Sequence, residues 1–311
     1  RIPEDAAGSR LDQALAAMFP DYSRSRLKTW IESGAVTVDG QKRRPRDKVL
    51  GGEFVVLVAE RTEALPDQPE SMPLAVFYED GDLLAINKPA GLVVHPGAGN
   101  RSGTLVNGLL HYDARLAEIP RAGLVHRLDK DTSGLLLVAR TLRAHTALVD
   151  SLQERRIHRE YEAVCVGALS GGGEIDAPIG RHRTDRTRMA IRDDGRPART
   201  RYRLLTRFPA HTHISVSLDT GRTHQIRVHM AHRRHPLVGD PVYGRPSFPR
   251  GAGAALRSAL QGFRRQALHA AHLRFDHPAH GRRVSLTAGP PDDFLALLAA
   301  LDADSSARGE A

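Results

Sequence analysis

Residues 126–140, His-Arg-Leu-Asp-Lys-Asp-Thr-Ser-Gly-Leu-Leu-Leu-Val-Ala-Arg, constrain the fold of this chain more than any other stretch. Positions 135–139 are apolar without a break, and their length and composition are those of a buried strand. The nine residues before them are polar, charged and turn-forming, and Gly134 supplies backbone freedom at the junction. A loop crowded with reactive side chains is therefore anchored to a buried strand, the way rigid scaffolds present chemistry.

Within that loop Asp129 and Asp131 stand beside Arg127 and Lys130. The neighbouring cations keep both carboxylates ionised at neutral pH. An ionised carboxylate acts as nucleophile or base without a metal. The same composition also makes an Asp/Thr/Ser/Gly turn closed by side-chain-to-backbone bonds, with no chemistry attached. The nine residues alone leave both readings open.

The net charge is +9 and the pI about 10.2, and arginine far outnumbers lysine. Such a surface favours polyanions, nucleic acid above all, and guanidinium forks suit phosphates and base edges. Ten arginines crowd positions 181–207 against Asp185, Asp193 and Asp194. Gly195-Arg196-Pro197 is expected to turn between a strand at 189–191 and another at 198–208, forming a basic arm on an RNA backbone. No run of 18 apolar residues and no signal-peptide pattern is present, and the single cysteine, Cys165, sits in a strand-like stretch as a small core residue. A cytoplasmic protein without membrane attachment is the expectation.

Three further segments carry chemistry-bearing residues: residues 87–97 (Asn-Lys-Pro-Ala-Gly-Leu-Val-Val-His-Pro-Gly), 159–163 (Arg-Glu-Tyr-Glu-Ala) and 221–229 (Gly-Arg-Thr-His-Gln-Ile-Arg-Val-His). Tyr161, at the start of a strand, suits either a core position or a ring stacked on an extruded base. His224 and His229 are five apart, and no His-Glu-x-x-His occurs, so no metal site is expected. Together with residues 126–134, and in this order, these segments closely resemble the signature segments of the RluA family of pseudouridine synthases. The resemblance covers nearly the whole chain.

It implies an α+β protein: a pseudouridine synthase fold with a mixed, largely antiparallel sheet, preceded by a small S4 RNA-binding domain. Residues 8–58 resemble that module through the Ser-Arg-Ser-Arg-Leu helix start at 23–27, the Val-Thr-Val-Asp-Gly hairpin signal at 36–40 and the segment 48–53. A helix over 24–32, capped by Ser23 and stopped by Gly34, is expected there. Residues 59–73 are rich in Pro, Glu and Asp and are expected to form a linker. Residues 74–302 would be the catalytic domain, with helices near 104–111, 141–155 (Leu142, Ala147, Leu148 and Leu152 on its apolar face), 223–231 and 292–301, and 303–311 a disordered tail.

The resemblance also implies roles. Asp129 is the catalytic aspartate, which attacks the sugar, attacks the base or assists proton removal. Arg227 pairs with it, Tyr161 lies beneath the target base, and Arg127 fills the gap left by the flipped nucleotide. The basic residues Arg24, Arg26, Lys28, Lys42 and Arg43 of the S4 module would contact RNA phosphates. The reaction exchanges nothing with solvent, so no cofactor is expected. Within the family the S4 module and residues 223–244 are most similar to the RluD-type branch, which modifies the helix 69 stem-loop of 23S ribosomal RNA. An RluC-type branch acting elsewhere on that RNA is the alternative. The partner is then 23S ribosomal RNA or an assembling large subunit, met by a monomer. A glycosidase, which would release free uracil, and a non-catalytic RNA-binding protein share much of this pattern.

Overall fold

The computed structural model describes residues 1–19, 24–58, 68–97, 99–185 and 187–309. Their contacts divide the chain into two units, Arg1–Pro66 and Asp67–Ala311.

The smaller unit packs helices α1 (Leu11–Met18) and α2 (Arg24–Ser33) on a two-stranded antiparallel sheet of β1 (Val36–Val38) and β2 (Val55–Leu57). Leu11, Leu15, Leu27, Trp30, Ile31, Val36 and Val38 form its core. Gly34 ends α2 with φ +81. Asp39 and Gly40 both take positive φ, and Val38 N–H donates to Gln41 O across them. The expected turn is thus present, but β1 takes its ladder from residues 55–57, far along the chain. Ile2 is buried in this core, so the unit begins before residue 8. The expected Ser23 cap lies outside the described residues.

The larger unit is built on a nine-stranded sheet. Its strands are β3 (Val76–Glu79), β4 (Leu83–Lys88), β5 (Ser133–Ala139), β6 (His158–Val166), β7 (Gly173–Asp176), β10 (Arg199–Arg207), β11 (His211–Leu218), β12 (Leu268–Asp276) and β13 (Arg283–Thr287). Outside this sheet, β8 (Ile179–Arg181) and β9 (Met189–Ile191) form a separate two-stranded antiparallel pair, and Ile179 of β8 also bridges Arg196. The order is β3-β4-β5-β12-β6-β11-β10-β7, with β13 on β12; only β5 and β12 run parallel. This is the mixed, largely antiparallel α+β architecture expected. Helices α3 (Leu105–Tyr112), α4 (Leu142–Gln153), α5 (Gln225–His232), α6 (Ala254–Gly262) and α7 (Asp292–Ala307) complete the unit.

β5 is buried at all seven positions. Its side chains alternate, so Leu136 and Val138 enter one core with Leu84 and Ile86, while Leu135, Leu137 and Ala139 enter another with Leu148 and Phe275. That double burial explains the unbroken apolar run. Gly134 is required at the start of the strand: its φ is +113, and a Cβ there would lie 2.3 Å from Ala270 O on β12.

Four expectations need correction. The strand at 189–191 does not turn back onto 199–207; β9 pairs with β8, while β10 pairs with β11 and β7, because β10 supplies buried Thr200 and Tyr202 to the main sheet. Residues 68–73 are not free linker. Asn107 on α3 donates to Gln68 O, Glu70 accepts from Gly103 N–H, and Met72 packs where Gly108 has no side chain. Residues 303–307 are not a disordered tail but the end of α7, where Ser305 is buried and Asp304 accepts from Gly253 N–H. Leu142, expected on the apolar face of α4, is exposed; Ala144, Leu148 and Ser151 face the sheet instead. Among the described residues no helix is long and apolar enough to cross a membrane.

Candidate active site

Asp129 lies just before β5, in a loop held from beneath by a buried ammonium. Lys88, with no exposed surface, donates from Nζ to Pro89 O (2.7 Å), Leu92 O (3.0 Å) and Lys130 O (2.8 Å). Burial pulls its pKa down to about 8, and the charges of Asp131 and Asp129 oppose that pull. Thr132 N–H donates to Asp129 O, and Gln266 Nε2 donates to Thr132 Oγ1 (3.0 Å). The loop backbone is therefore tied to β4 and to the approach to β12 before any substrate is considered.

The Asp129 carboxylate is one-sided. Oδ2 accepts from Arg227 Nη1 at 3.0 Å, and His224 Nε2 stands 3.9 Å from the same oxygen. Oδ1 accepts nothing among the described residues. Arg227 projects from α5 with its side chain 5% exposed. Its Nε and Nη2 donate to the two oxygens of Asp240 at 2.7 and 2.9 Å, a bidentate pair. Asp240 is fully buried and also accepts from the N–H groups of Val242 and Tyr243. Burial disfavours the Arg227 charge, but Asp240 and then Asp129 more than offset this, so its pKa lies above the ordinary arginine value. The start of α5 is pinned by Gln225, whose Nε2 donates to Arg199 O and Thr200 Oγ1.

Tyr161 sits mid-sheet on β6, opposite Val216 of β11 and Ala270 of β12. Burial pushes its pKa up; Arg159 opposes the rise and Asp129 adds to it. The phenol is therefore protonated at neutral pH. Arg127 is exposed and makes no hydrogen bond or ion pair among the described residues. His126, beside it, accepts Leu137 N–H at Nε2 (3.1 Å), which ties the loop to β5. Burial, aided by Arg159, lowers its pKa to about 3.

Arg127, Asp129, Tyr161, His224 and Arg227 all line one cavity of about 890 Å³. Four residues singled out in the sequence thus converge from three separate segments. His224, Asp240 and Tyr243 were missed. The stretch 240–244 is turn-rich and lies within the segment that carries the family resemblance, but its pairing with Arg227 is made in three dimensions. No group of three or more His, Cys, Asp or Glu residues suited to a metal occurs among the described residues.

The basic residues of the smaller unit stand differently. Arg24 is bound by Asp12, donating from Nη2 to its Oδ2 at 2.7 Å, so it joins α2 to α1. Lys28 pairs loosely with Glu32 at 3.5 Å. Lys42 is exposed, its stem lying across Gly34, and Arg43 is half-buried. The Arg26 side chain lies outside the described residues.

The family model for RNA pseudouridylate synthases matches residues 82–232, and that for the S4 domain matches residues 9–55. The chain is 54% identical to the ribosomal large subunit pseudouridine synthase D of Yersinia pestis, over 98% of this chain and 94% of that protein. It is 56% identical to the synthase of the same name from Xanthomonas campestris pv. campestris, over 99% of this chain and 94% of that one. The chain belongs to the RNA pseudouridylate synthase family. Among solved structures, human RNA Pseudouridylate Synthase Domain Containing 4 matches this synthase with a TM-score of 0.57 at 25% identity, covering 73% of this chain and 93% of that one. Human RNA Pseudouridylate Synthase Domain Containing 1 gives 0.55 at 27%, covering 72% and 86%. The segment matched to the synthase family contains Asp129, Tyr161, Arg227 and Arg127; Arg24, Arg26, Lys28, Lys42 and Arg43 fall in the S4 match.

Proposed function

We propose that this synthase converts uridines of large-subunit ribosomal RNA to pseudouridine, at the helix 69 stem-loop, with Asp129 as the catalytic carboxylate. The observation that carries the reading is the convergence of Asp129, Tyr161 and Arg227 on one cavity, with Asp129 held through Oδ2 and its other oxygen accepting nothing among the described residues. The names of the relatives supply the RNA. The two units divide the labour: the basic smaller unit docks on RNA, and the larger unit performs the chemistry.

The reaction breaks the bond from ribose C1′ to uracil N1 and forms one from C1′ to C5; C5 loses a proton and N1 gains one. Glycosidic cleavage builds positive charge on the sugar, which a nearby carboxylate stabilises. Arg227 holds and aims the Asp129 carboxylate through a charge-assisted hydrogen bond, inside a cavity that RNA would cover. Attack on C1′, attack on the ring and proton removal from the sugar all start from that oriented carboxylate. Tyr161, protonated and nearly buried, offers a ring for the flipped uracil and a hydroxyl that donates. Arg127, exposed and without a hydrogen bond or ion pair among the described residues, would fill the vacated stack and offset part of the few kcal/mol that flipping costs. The cytoplasm, where ribosomes assemble, is the matching compartment.

Pseudouridine mapping of 23S RNA incubated with wild-type protein and with Asp129→Asn tests this. Modification confined to helix 69 and lost in the variant is expected. Modification elsewhere on 23S RNA would retain the enzyme and shift it to the alternative branch. Activity retained by Asp129→Asn would remove the aspartate from the chemistry.

A further inference from the structure

His224 enters α5 in a left-handed conformation, φ 56. Its Nδ1 lies 2.8 Å from the Tyr243 hydroxyl, which also accepts Met189 N–H at 2.8 Å. A phenol has one hydrogen to give. Met189 N–H takes one lone pair of the oxygen, and the phenol hydrogen is free to go to His224 Nδ1. The other ring nitrogen decides the direction: Nε2 faces Asp129 Oδ2 across 3.9 Å, a carboxylate oxygen only accepts, and a bare Nε2 lone pair would be repelled, so the neutral imidazole carries its proton on Nε2 and Nδ1 accepts. Burial favours the neutral ring, with the Asp129 charge opposing it. The Tyr243 ring is itself fixed, edge to face with His224 at 5.6 Å and beneath the Arg227 guanidinium at 5.1 Å. One tyrosine therefore orients both groups that approach the Asp129 carboxylate.

We propose that His224 is a positioning residue for Asp129: its Nε2–H closes the 3.9 Å gap to a hydrogen bond when RNA fills the cavity, and Tyr243 selects the tautomer that allows it. At 3.9 Å the gap is too long for a hydrogen bond, and such contacts tighten on substrate binding. Two donors on Oδ2, Arg227 from one side and His224 from the other, then fix the carboxylate plane and leave Oδ1 to the reacting nucleotide. The inference rests on Asp129 being the catalytic carboxylate, which Asp129→Asn tests separately.

The experiment compares kcat and KM of the full chain on a 23S RNA transcript for His224→Gln, His224→Asn, His224→Leu and Tyr243→Phe, with circular dichroism for folding. His224→Leu should lower kcat about tenfold to a hundredfold, the size of one hydrogen bond to a charged group, with KM within about twofold of wild type. Gln, whose amide reaches the Nε2 position, should recover most of that loss; Asn, whose amide stops at the Nδ1 position, should not. Tyr243→Phe should lower kcat less than His224→Leu, since the ring then keeps the correct tautomer part of the time. If the Leu variant does not fold, the Gln–Asn contrast decides. Wild-type kcat in His224→Leu, equal kcat in Gln and Asn, or a change confined to KM would each overturn the proposal. Loss of activity in His224→Leu alongside full activity in Asp129→Asn would mark failure of the underlying reading instead.

Discussion

Arg227 Nη1 donates to Asp129 Oδ2 at 3.0 Å across 98 residues of sequence, and the same guanidinium is clamped from behind by Asp240. The three charges form a line from the solid interior to the cavity. Asp240 is fully buried, Arg227 nearly so, and Asp129 is at the open end.

Removing the innermost member should therefore be costly. Asp240→Ala leaves a buried guanidinium half-compensated, and the expected loss is about 3–5 kcal/mol of unfolding free energy. Urea denaturation read by fluorescence and far-ultraviolet dichroism measures it. A loss under about 1 kcal/mol would mean that Arg227 finds another partner or swings to water.

Gly134→Ala combines a left-handed φ with a collision, since its Cβ would fall 2.3 Å from Ala270 O where β5 and β12 run parallel. A destabilisation of about 3 kcal/mol or more is expected. Gly281→Ala is the control. It also has positive φ, +69, but meets nothing within 4 Å, so it should show only the strain of about 1 kcal/mol. Equal effects in the two variants would mean that the close approach of the strands contributes nothing.

His126 should make the fold acid-sensitive. Its pKa falls from 6.5 to about 3 on folding, so between those values the unfolded chain binds a proton that the native state refuses. Stability from this site is fully present above pH 6.5 and declines by up to about 1.4 kcal/mol per unit as pH falls toward 3. His126→Gln keeps an acceptor for Leu137 N–H but cannot titrate. Its unfolding free energy should depend less steeply on pH over that window than the wild-type value, and parallel curves would count against the assignment.

The smaller unit should separate grip from scaffold. Lys42 and Arg43 have no ion pair among the described residues, so replacing both with Ala should reduce the slope of log affinity for RNA against log salt by about 1–2, with little effect on folding. Arg24→Ala removes a partner of the buried Asp12 and should instead lower the melting temperature of this unit. RNA binding measured by filter retention at several salt concentrations, beside thermal melts, distinguishes the two. An unchanged slope in the double variant would take Lys42 and Arg43 out of the RNA contact.

Much of the site was legible because its residues are local in sequence. Asp129 and Arg127 share a loop with the strand that carries them, and the alternation of β5 between two cores is written in its unbroken apolar run. The helices near 104–111 and 141–155 were equally readable, and in the structure Thr104 and Thr141 cap them, accepting from Asn107 and Ala144 N–H. The pairing of 189–191 was misread because three strand-like residues fit either neighbour, and only the burial of Thr200 and Tyr202 in the main sheet excludes the nearer one. The segment 68–73 is polar and proline-containing, which looks like linker until α3 supplies Asn107 and Gly108 to receive it.

By itself, then, the sequence determined the chemistry-bearing residues, the basic character that selects a polyanion, and the local elements, since each follows from neighbours within a few positions. Tertiary structure alone decided which charges meet. Asp240 reads as a turn residue and His224 as a stray histidine until folding places one behind Arg227 and the other beside Asp129. The reason is physical: a buried ion pair and a tautomer are set by what surrounds a group in space, and those surroundings come from segments far apart along the chain.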